Sequence, residues 1–164
     1  MPFFSPLSRQ PKNMALMTIP FEWFFGAFLL YRKGMVITMN DRDLLSLAYE
    51  ASKNAYAPYS EFHVGAALEC EDGSVVTGCN VENAAYGDCI CAERTAVVKA
   101  ISEGHKGFRR IAVYGEGKNY CMPCGSCRQV LAEFSPEMEV LCAKAGGSYV
   151  SYPLSKLMPY TFNF

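Results

Sequence analysis

Two short cysteine clusters are the feature of this sequence that most restricts its fold. They are Cys91-Ala92-Glu93 and Pro123-Cys124-Gly125-Ser126-Cys127. Two thiols separated by two residues can hold one metal ion from a turn that enters a helix. Cys91 can complete a three-thiolate zinc site whose fourth tetrahedral position stays open. Because Glu93 follows a ligand by two residues and can serve that position, the pattern predicts a catalytic site rather than a structural one.

Composition and charge limit the possible partners. The chain has 164 residues, of which 51% are hydrophobic and 19% charged. This predicts one globular domain with a buried core. The formal net charge is −1, and the basic residues are scattered rather than set along a stripe. We therefore expect a small neutral substrate, with neither nucleic acid nor a membrane as a partner.

The eight cysteines indicate either disulfide bonds in an oxidising compartment or metal and free thiols in a reducing one. Five of them lie in or within two residues of the two clusters, at positions 89, 91, 121, 124 and 127. That grouping favours metal binding and predicts a cytoplasmic location. The three isolated cysteines are expected to be buried packing residues: Cys70, Cys79 and Cys142.

A closed, structural zinc site is the alternative to a catalytic one. Cys121 could join the three predicted ligands and fill the fourth position, which would make the protein a binding or scaffold module. That arrangement leaves Glu93 without a function. The two histidines, His63 in a predicted strand and His105 in a glycine-flanked turn, are not expected to be ligands.

Residues 1–38 are predicted to be an N-terminal extension outside the catalytic domain, which we place at residues 39–164. Residues 19–30 are apolar and aromatic, but this run is short for a bilayer span and contains Glu22. No small-residue cleavage site of a signal peptide follows it. Three explanations stay open: a natural start at Met39 or Met35, an ordered extension, and a membrane or targeting role.

Hydrophobic periodicity predicts an α/β protein. The predicted elements are a helix at 41–56, strands at 62–68 and 75–81, a helix at 91–102, a strand at 110–114, a helix after Pro123, and strands at 138–143 and 149–152. This order favours a three-layer α/β/α sandwich around a mixed, mostly five-stranded sheet. Both cysteine clusters lie where a loop enters a helix, and unpaired N–H groups there stabilise thiolates.

The two clusters together resemble the signature of the zinc-dependent deaminases, in its three-cysteine form. Residues 79–87, leading into 91–96, are similar to the free-nucleoside cytidine deaminases of the small homotetrameric type. Residues 58–68 resemble that family's opening hairpin, and residues 127–130 its helix after the second cluster. The resemblance covers roughly residues 41–164 and does not extend to the N-terminal segment.

The resemblance implies the fold of that family and one Zn²⁺ per chain, held by Cys91, Cys124 and Cys127. It implies that Glu93 is the proton shuttle. The implied substrate contacts are Phe62 on the base, Asn80 and Glu82 on the ribose hydroxyl, the backbone of Ala92 on the pyrimidine edge, Tyr86, and Phe162 in the site of a neighbouring subunit of a homotetramer. Arg94 is expected to support the site by donating a hydrogen bond to a ligand sulfur.

The implied reaction is hydrolytic deamination of free cytidine and deoxycytidine to uridine and deoxyuridine, a step of pyrimidine salvage. It needs hydroxide at neutral pH, which zinc supplies by lowering the pKa of water. It also needs a group that carries protons to the ring and to the departing ammonia, which is the role of Glu93. A deaminase of a modified nucleoside such as blasticidin S is the alternative, and a polynucleotide editor is less favoured.

Overall fold

The computed structural model describes residues 39–162, which belong to one compact unit. The predictions for residues 1–38 lie outside the described residues. The elements are α1 Asp41–Ser52, β1 Val64–Cys70, β2 Val75–Cys79, a 3₁₀ turn Tyr86–Asp88, α2 Ala92–Ser102, β3 Phe108–Gly115, α3 Gly125–Phe134, β4 Glu139–Ala143, β5 Tyr149–Pro153 and α4 Leu154–Leu157. The predicted order of helices and strands is confirmed.

One mixed sheet of five strands forms the middle of the domain, in the order β2-β1-β3-β4-β5. Only β3 and β4 pair in parallel, while the other neighbours are antiparallel. A parallel pair needs a crossover connection, which here contains α3. The prediction of a mixed five-stranded sheet is therefore confirmed.

Helices cover both faces of the sheet, because successive side chains of a strand point to opposite faces. Ala67 of β1 packs in a cluster with Leu44 and Leu45 of α1. Its neighbours in β1, Ala66 and Leu68, belong to a second cluster that includes buried residues of α2 and α3. The predicted three-layer sandwich is confirmed.

Two glycines let helices approach the sheet closely. A Cβ atom at Gly78 in β2 would lie 2.5 Å from the backbone nitrogen of Ala96 in α2. A Cβ atom at Gly65 in β1 would overlap the backbone oxygen of Ala48 in α1. The glycines therefore set the distance between the sheet and the two helices, including the helix that begins at the first cysteine cluster.

The first helix is shorter than predicted, since α1 ends at Ser52 rather than near residue 56. Tyr56 instead pairs with Val81: its N–H donates to the carbonyl of Asn80 at 3.0 Å, and its carbonyl accepts from the N–H of Glu82 at 2.8 Å. The backbone of Tyr56 is thus committed to the segment after β2 and cannot continue a helix.

A buried charge network ties the start of α1 to the sheet. Arg110 in β3 donates through Nε to Oε2 of Glu69 at 2.6 Å, and through Nη1 to Oδ1 of Asp41 at 2.7 Å. It also donates to the carbonyl of Met39. Glu69 is only 1% exposed, so Arg110 compensates a carboxylate that water does not reach.

Across residues 39–162, no helix combines the length and the apolar character that crossing a membrane requires.

Candidate metal and active site

The fold brings the three predicted zinc ligands together. The Sγ atoms of Cys91, Cys124 and Cys127 all lie within 4.8 Å of one another. The sulfur of Cys124 is 3.9 Å from that of Cys91 and 3.4 Å from that of Cys127. Cys127 is fully buried, whereas Cys124 is exposed to solvent. The cluster is therefore anchored in the core and open on one side.

These separations fit a zinc ion. In a tetrahedral complex with Zn–S bonds of about 2.3 Å, neighbouring sulfur atoms lie about 3.8 Å apart. The two sulfur–sulfur distances at Cys124 fall on either side of that value. Three thiolates are also a donor set that suits zinc. The residues present therefore fit the predicted metal.

Each half of the thiol cluster lies at the start of a helix. Cys91 is the N-cap residue of α2, and Cys124 is the N-cap residue of α3. The backbone N–H of Cys127 donates to the sulfur of Cys124 at 3.5 Å. Helix starts carry unpaired N–H groups and a partial positive charge, which stabilise negative charge on sulfur.

The thiols of Cys91 and Cys127 differ in their pKa because they interact with each other. A hydrogen bond from Cys127 lowers the pKa of Cys91 to about 5, with further help from Arg94 and Cys124. The same hydrogen bond to Cys91, together with burial, raises the pKa of Cys127. The interaction between the two side chains therefore favours the thiolate form at Cys91 and the protonated form at Cys127.

Arg94 lies against the thiol cluster. Its Nη2 atom is 3.9 Å from the sulfur of Cys91 and donates to the carbonyl of Cys89 at 2.8 Å. Among residues 39–162, its buried Nε has no hydrogen-bond partner. Its positive charge offsets part of the negative charge of the three-thiolate set. The supporting role of Arg94 stays a prediction.

Glu93 is a buried acid beside the thiols. Its side chain extends from the first turn of α2, and the residue is only 4% exposed. Burial raises the pKa of this carboxyl to about 7, and the negative charge of Cys91 adds to the effect. A carboxyl group with this pKa holds and releases a proton near neutral pH, which is what a proton shuttle requires.

A short segment after β2 passes directly beside this centre. Val81 pairs on one side with Tyr56 and on the other with Ile90, which immediately precedes Cys91. The backbone groups of Val81 and Ile90 exchange two hydrogen bonds of 2.9 Å. This pairing brings Asn80 and Glu82 close to the start of α2.

The side chains of Asn80 and Glu82 organise the loop before β1. Asn80 accepts from the N–H of Val64 at 2.8 Å and donates to the carbonyl of Phe62 at 2.9 Å. Glu82 accepts from the N–H of Tyr59 at 2.9 Å and from both the N–H and the hydroxyl of Ser60. Both residues therefore hold the segment that carries Phe62, and their contacts with substrate stay predictions.

Phe62 lies over a pair of glycines at the end of β3. A Cβ atom added at Gly115 or at Gly117 would come within 3.0 Å of its ring. The phenylalanine is 38% exposed, so one side of the ring packs on backbone and the rest is open. That placement leaves a ring surface available to a base.

The remaining predicted contact residues differ in exposure. Ala92 is fully buried as the first residue of α2, whereas Tyr86 is 75% exposed and packs edge-on against Tyr59 with ring centroids 6.1 Å apart. Phe162 is 67% exposed, and its backbone exchanges two 3.1 Å hydrogen bonds with the side chain of Gln129. The roles predicted for these residues stay predictions.

Sequence reasoning missed three side chains that shape this region. Ser60 binds Glu82, Gln129 holds the backbone of Phe162, and His63 pairs with Glu116 through a 2.7 Å contact between Nδ1 and Oε1. Ser60 and His63 lie within the run that resembles the opening hairpin, which was the available signal. No local pattern could have paired His63 with a residue of the loop after β3.

The closed four-cysteine alternative finds no support in the described part of the chain. The group of convergent ligand atoms there contains Cys91, Cys124 and Cys127, but not Cys121. The fourth coordination position of a metal in this cluster is thus left to another group.

Comparisons with known proteins show the family of this chain. The family described as "Cytidine and deoxycytidylate deaminase zinc-binding region" matches residues 38–143. A cytidine deaminase of Halalkalibacterium halodurans is 46% identical over 125 residues, covering 76% of this chain and 95% of the relative. A cytidine deaminase of Sporosarcina psychrophila is 43% identical over 126 residues, covering 76% and 93%.

A solved structure supports the same assignment. The crystal structure of cytidine deaminase from Burkholderia pseudomallei has a TM-score of 0.74 and 46% sequence identity, and it covers 76% of this chain and 100% of that one. Fold and site together define a zinc-binding deaminase. The chain belongs to the cytidine and deoxycytidylate deaminase family.

Proposed function

We propose that the protein catalyses hydrolytic deamination of free cytidine and deoxycytidine to uridine and deoxyuridine, as a step of pyrimidine salvage in the cytoplasm. The observation that carries the proposal is the buried Glu93, with a pKa of about 7, beside three convergent thiols. The relatives from two bacterial species are named cytidine deaminases, and this chain spans nearly all of each.

Cys91, Cys124 and Cys127 would hold the zinc ion. When bound, Zn²⁺ supplies Lewis acidity that makes a water molecule acidic at neutral pH. The two helix starts and Arg94 would stabilise the negative charge of the three thiolates. This arrangement supports the proposal because the exposed side at Cys124 leaves access for water and substrate.

Glu93 would move protons during the reaction. As a carboxylate it accepts a proton from the attacking water, and as an acid it delivers that proton to N3 of the pyrimidine. The oxygen of water forms a bond to C4, and the bond from C4 to the amino nitrogen breaks. Glu93 then takes the second proton of that water from the new hydroxyl group on C4 and passes it to the amino nitrogen, which leaves as ammonia. Water is consumed and ammonia is released, so the atoms balance.

Asn80 and Glu82 would recognise the ribose, and Phe62 the face of the base. The carboxylate of Glu82 already accepts hydrogen bonds from Tyr59 and Ser60, but two carboxylate oxygens have about four acceptor positions. A ribose hydroxyl can therefore be added to the existing contacts. Free cytosine lacks that hydroxyl, so it would leave polar groups of the site without their partner. Tyr86 and the backbone of Ala92 would complete the contacts.

The active assembly is proposed to be a homotetramer in which Phe162 reaches the site of a neighbouring subunit. Two aromatic side chains near the end of the described chain support this, since Tyr160 is 91% exposed and Phe162 is 67% exposed. Two hydrogen bonds with the side chain of Gln129 hold the backbone of Phe162, and so fix the position of this residue on the surface.

The test is turnover of cytidine by the purified full chain, followed by the loss of its ultraviolet absorbance, together with the zinc content of the same sample. Glu93→Gln should retain zinc, and its turnover of cytidine should fall by a factor of about 10² to 10⁴. Glu133→Gln, an exposed residue of α3, is the matched control and should keep both. Equal zinc in wild type and variant, with no turnover of cytidine or deoxycytidine by either, would refute the proposal.

Competing substrates separate the alternatives in the same assay. Cytidine turnover that excess single-stranded nucleic acid leaves unchanged agrees with a free-nucleoside enzyme. Rapid turnover of blasticidin S, with little of cytidine, would instead assign a modified nucleoside as the substrate.

A further inference from the structure

A second group of metal-ligating side chains lies outside the site described above. Cys70 at the end of β1, Asp72 in the turn after it, and His105 after α2 place their ligand atoms within 4.8 Å of one another. Nδ1 of His105 is 3.4 Å from Oδ2 of Asp72. The sequence predicted that Cys70 is a packing residue and that His105, in a glycine-flanked turn, is not a ligand.

The separation of two of the three ligand atoms fits a small divalent cation. Two oxygen or nitrogen ligands at about 2.0 to 2.1 Å from a tetrahedral ion lie about 3.4 Å apart. The separation of Nδ1 and Oδ2 equals that value. Oδ1 of Asp72 is held by the N–H and hydroxyl of Ser74, at 2.9 and 2.6 Å, which orients the carboxylate. Oδ2 is thereby left on the side of His105.

The local charge also favours a cation. His105 follows the C-terminal end of α2, where the helix dipole attracts positive charge. Burial raises the pKa of Cys70, and the negative charges of Asp72, Glu103 and Glu69 add to this effect. A thiolate and a carboxylate together would balance the charge of a divalent ion.

The group is separate from the thiol cluster of the active site. Cys91 caps the start of α2, whereas His105 lies just beyond its end. A helix of 11 residues is about 16 Å long, so the two groups lie at opposite ends of one rigid element.

We propose that Cys70, Asp72 and His105 form a second metal site, for a thiophilic divalent cation such as Zn²⁺. A thiolate, an imidazole and a carboxylate are ligands that zinc accepts, and three protein ligands leave one position to water. Binding displaces the proton of Cys70, whose pKa is raised by burial. The exposed Asp72 and the partly exposed His105 give the ion a path from solvent. The site ties the β1–β2 turn to the end of α2.

The test counts metal ions on the full chain, after reduction and removal of metal with a chelator. The protein is titrated with Zn²⁺ against a chromophoric chelator, and the bound metal is measured by native mass spectrometry. Wild type should take up a second equivalent of zinc after the first. His105→Gln and Asp72→Asn should each weaken the second equivalent at least about tenfold, since even the loss of an outer-sphere partner costs that much.

Control variants show which of the two sites binds each equivalent of zinc. His63→Gln removes a histidine that is also paired with a carboxylate, and it should keep the second equivalent. Cys124→Ser should weaken the first equivalent and leave the second in place. Circular dichroism checks that His105→Gln and Asp72→Asn are folded. Cys70→Ala is added as the variant that removes the buried ligand.

Two results would overturn the proposal. Wild type that saturates at a single equivalent shows that the group is only an ion pair and a buried thiol. A second equivalent that survives in His105→Gln and Asp72→Asn shows that it binds elsewhere. Neither result depends on turnover, so failure of this site leaves the proposed deamination untouched.

Discussion

Replacing Gly78 by alanine tests how closely the active-site helix must approach the sheet. The new Cβ atom would lie 2.5 Å from the nitrogen of Ala96 and 2.6 Å from the oxygen of Ala92. Both are backbone atoms of α2, so no side-chain rotation can relieve the overlap. Because favourable non-bonded contacts begin at about 3.5 Å, the helix has to move away by about 1 Å.

The cost of this movement has two parts. Forcing extra volume into a packed contact costs about 1 to 3 kcal/mol of the free energy of unfolding. The helix also carries Glu93 and begins at Cys91, so both would shift relative to Cys124 on α3. A misplacement of about 1 Å in an active site can lower turnover by about 10²-fold. Gly78→Ala should therefore lose both stability and activity.

Urea unfolding of the full chain and steady-state turnover of cytidine measure the two effects. Gly87→Ala is the control for unfolding, because a Cβ atom there has no neighbour within 4 Å. It should leave the unfolding midpoint unchanged. The reasoning is wrong if Gly78→Ala unfolds at the same urea concentration as wild type and turns over cytidine at the same rate.

Three further predictions concern charges and the chain end. Arg110→Met should lower the free energy of unfolding by about 3 to 5 kcal/mol, measured by urea, because it leaves the buried Glu69 without its partner. Hydrogen bonds from the side chain of Ser60 and from the N–H of Tyr59 lower the pKa of Glu82 below its ordinary 4.5. The stability that Glu82 contributes is therefore complete above pH 4.5 and is lost as the pH falls through the lowered pKa. Urea unfolding at a series of pH values should show the stabilities of wild type and Glu82→Gln converging in acid. Phe162→Ala should raise KM for cytidine and leave the zinc content unchanged if this ring enters a neighbouring site.

Each of these has a matched control. Lys53→Met breaks an exposed ion pair with Glu50 and should cost no more than about 1 kcal/mol. If Arg110→Met costs no more than Lys53→Met, the buried network is not stabilising. A constant gap between wild type and Glu82→Gln at every pH would contradict the pKa argument. Phe162→Ala with unaltered KM would count against the shared site.

The elements of the fold were largely predictable from local pattern. The alternation of residues along β1, and the apolar residues at helical spacing in α1, indicate which face of each element is buried. The end of α1 was not predictable, since it depends on Tyr56 pairing with a segment after β2. The local sequence around a residue does not show that its backbone pairs with a distant segment.

The candidate metal ligands and the candidate acid could be proposed from spacing, because Cys91, Glu93 and the second cluster each lie within a few residues of a helix start. The electrostatic properties of Glu93 were not accessible in this way. Its raised pKa depends on burial by residues from other elements. The pairs between Ser60 and Glu82, and between His63 and Glu116, likewise join distant positions.

The sequence by itself determined the class of chemistry: its residue types and their spacing restrict it to a three-thiol metal site with an adjacent acid. Only the tertiary structure decided which cysteines converge, how deeply Glu93 is buried, and that Cys70 meets His105 at the other end of α2. The physical reason is that ligand type and helix entry are local properties of the chain. Distances between elements and exclusion of water arise only when the sheet and the helices pack.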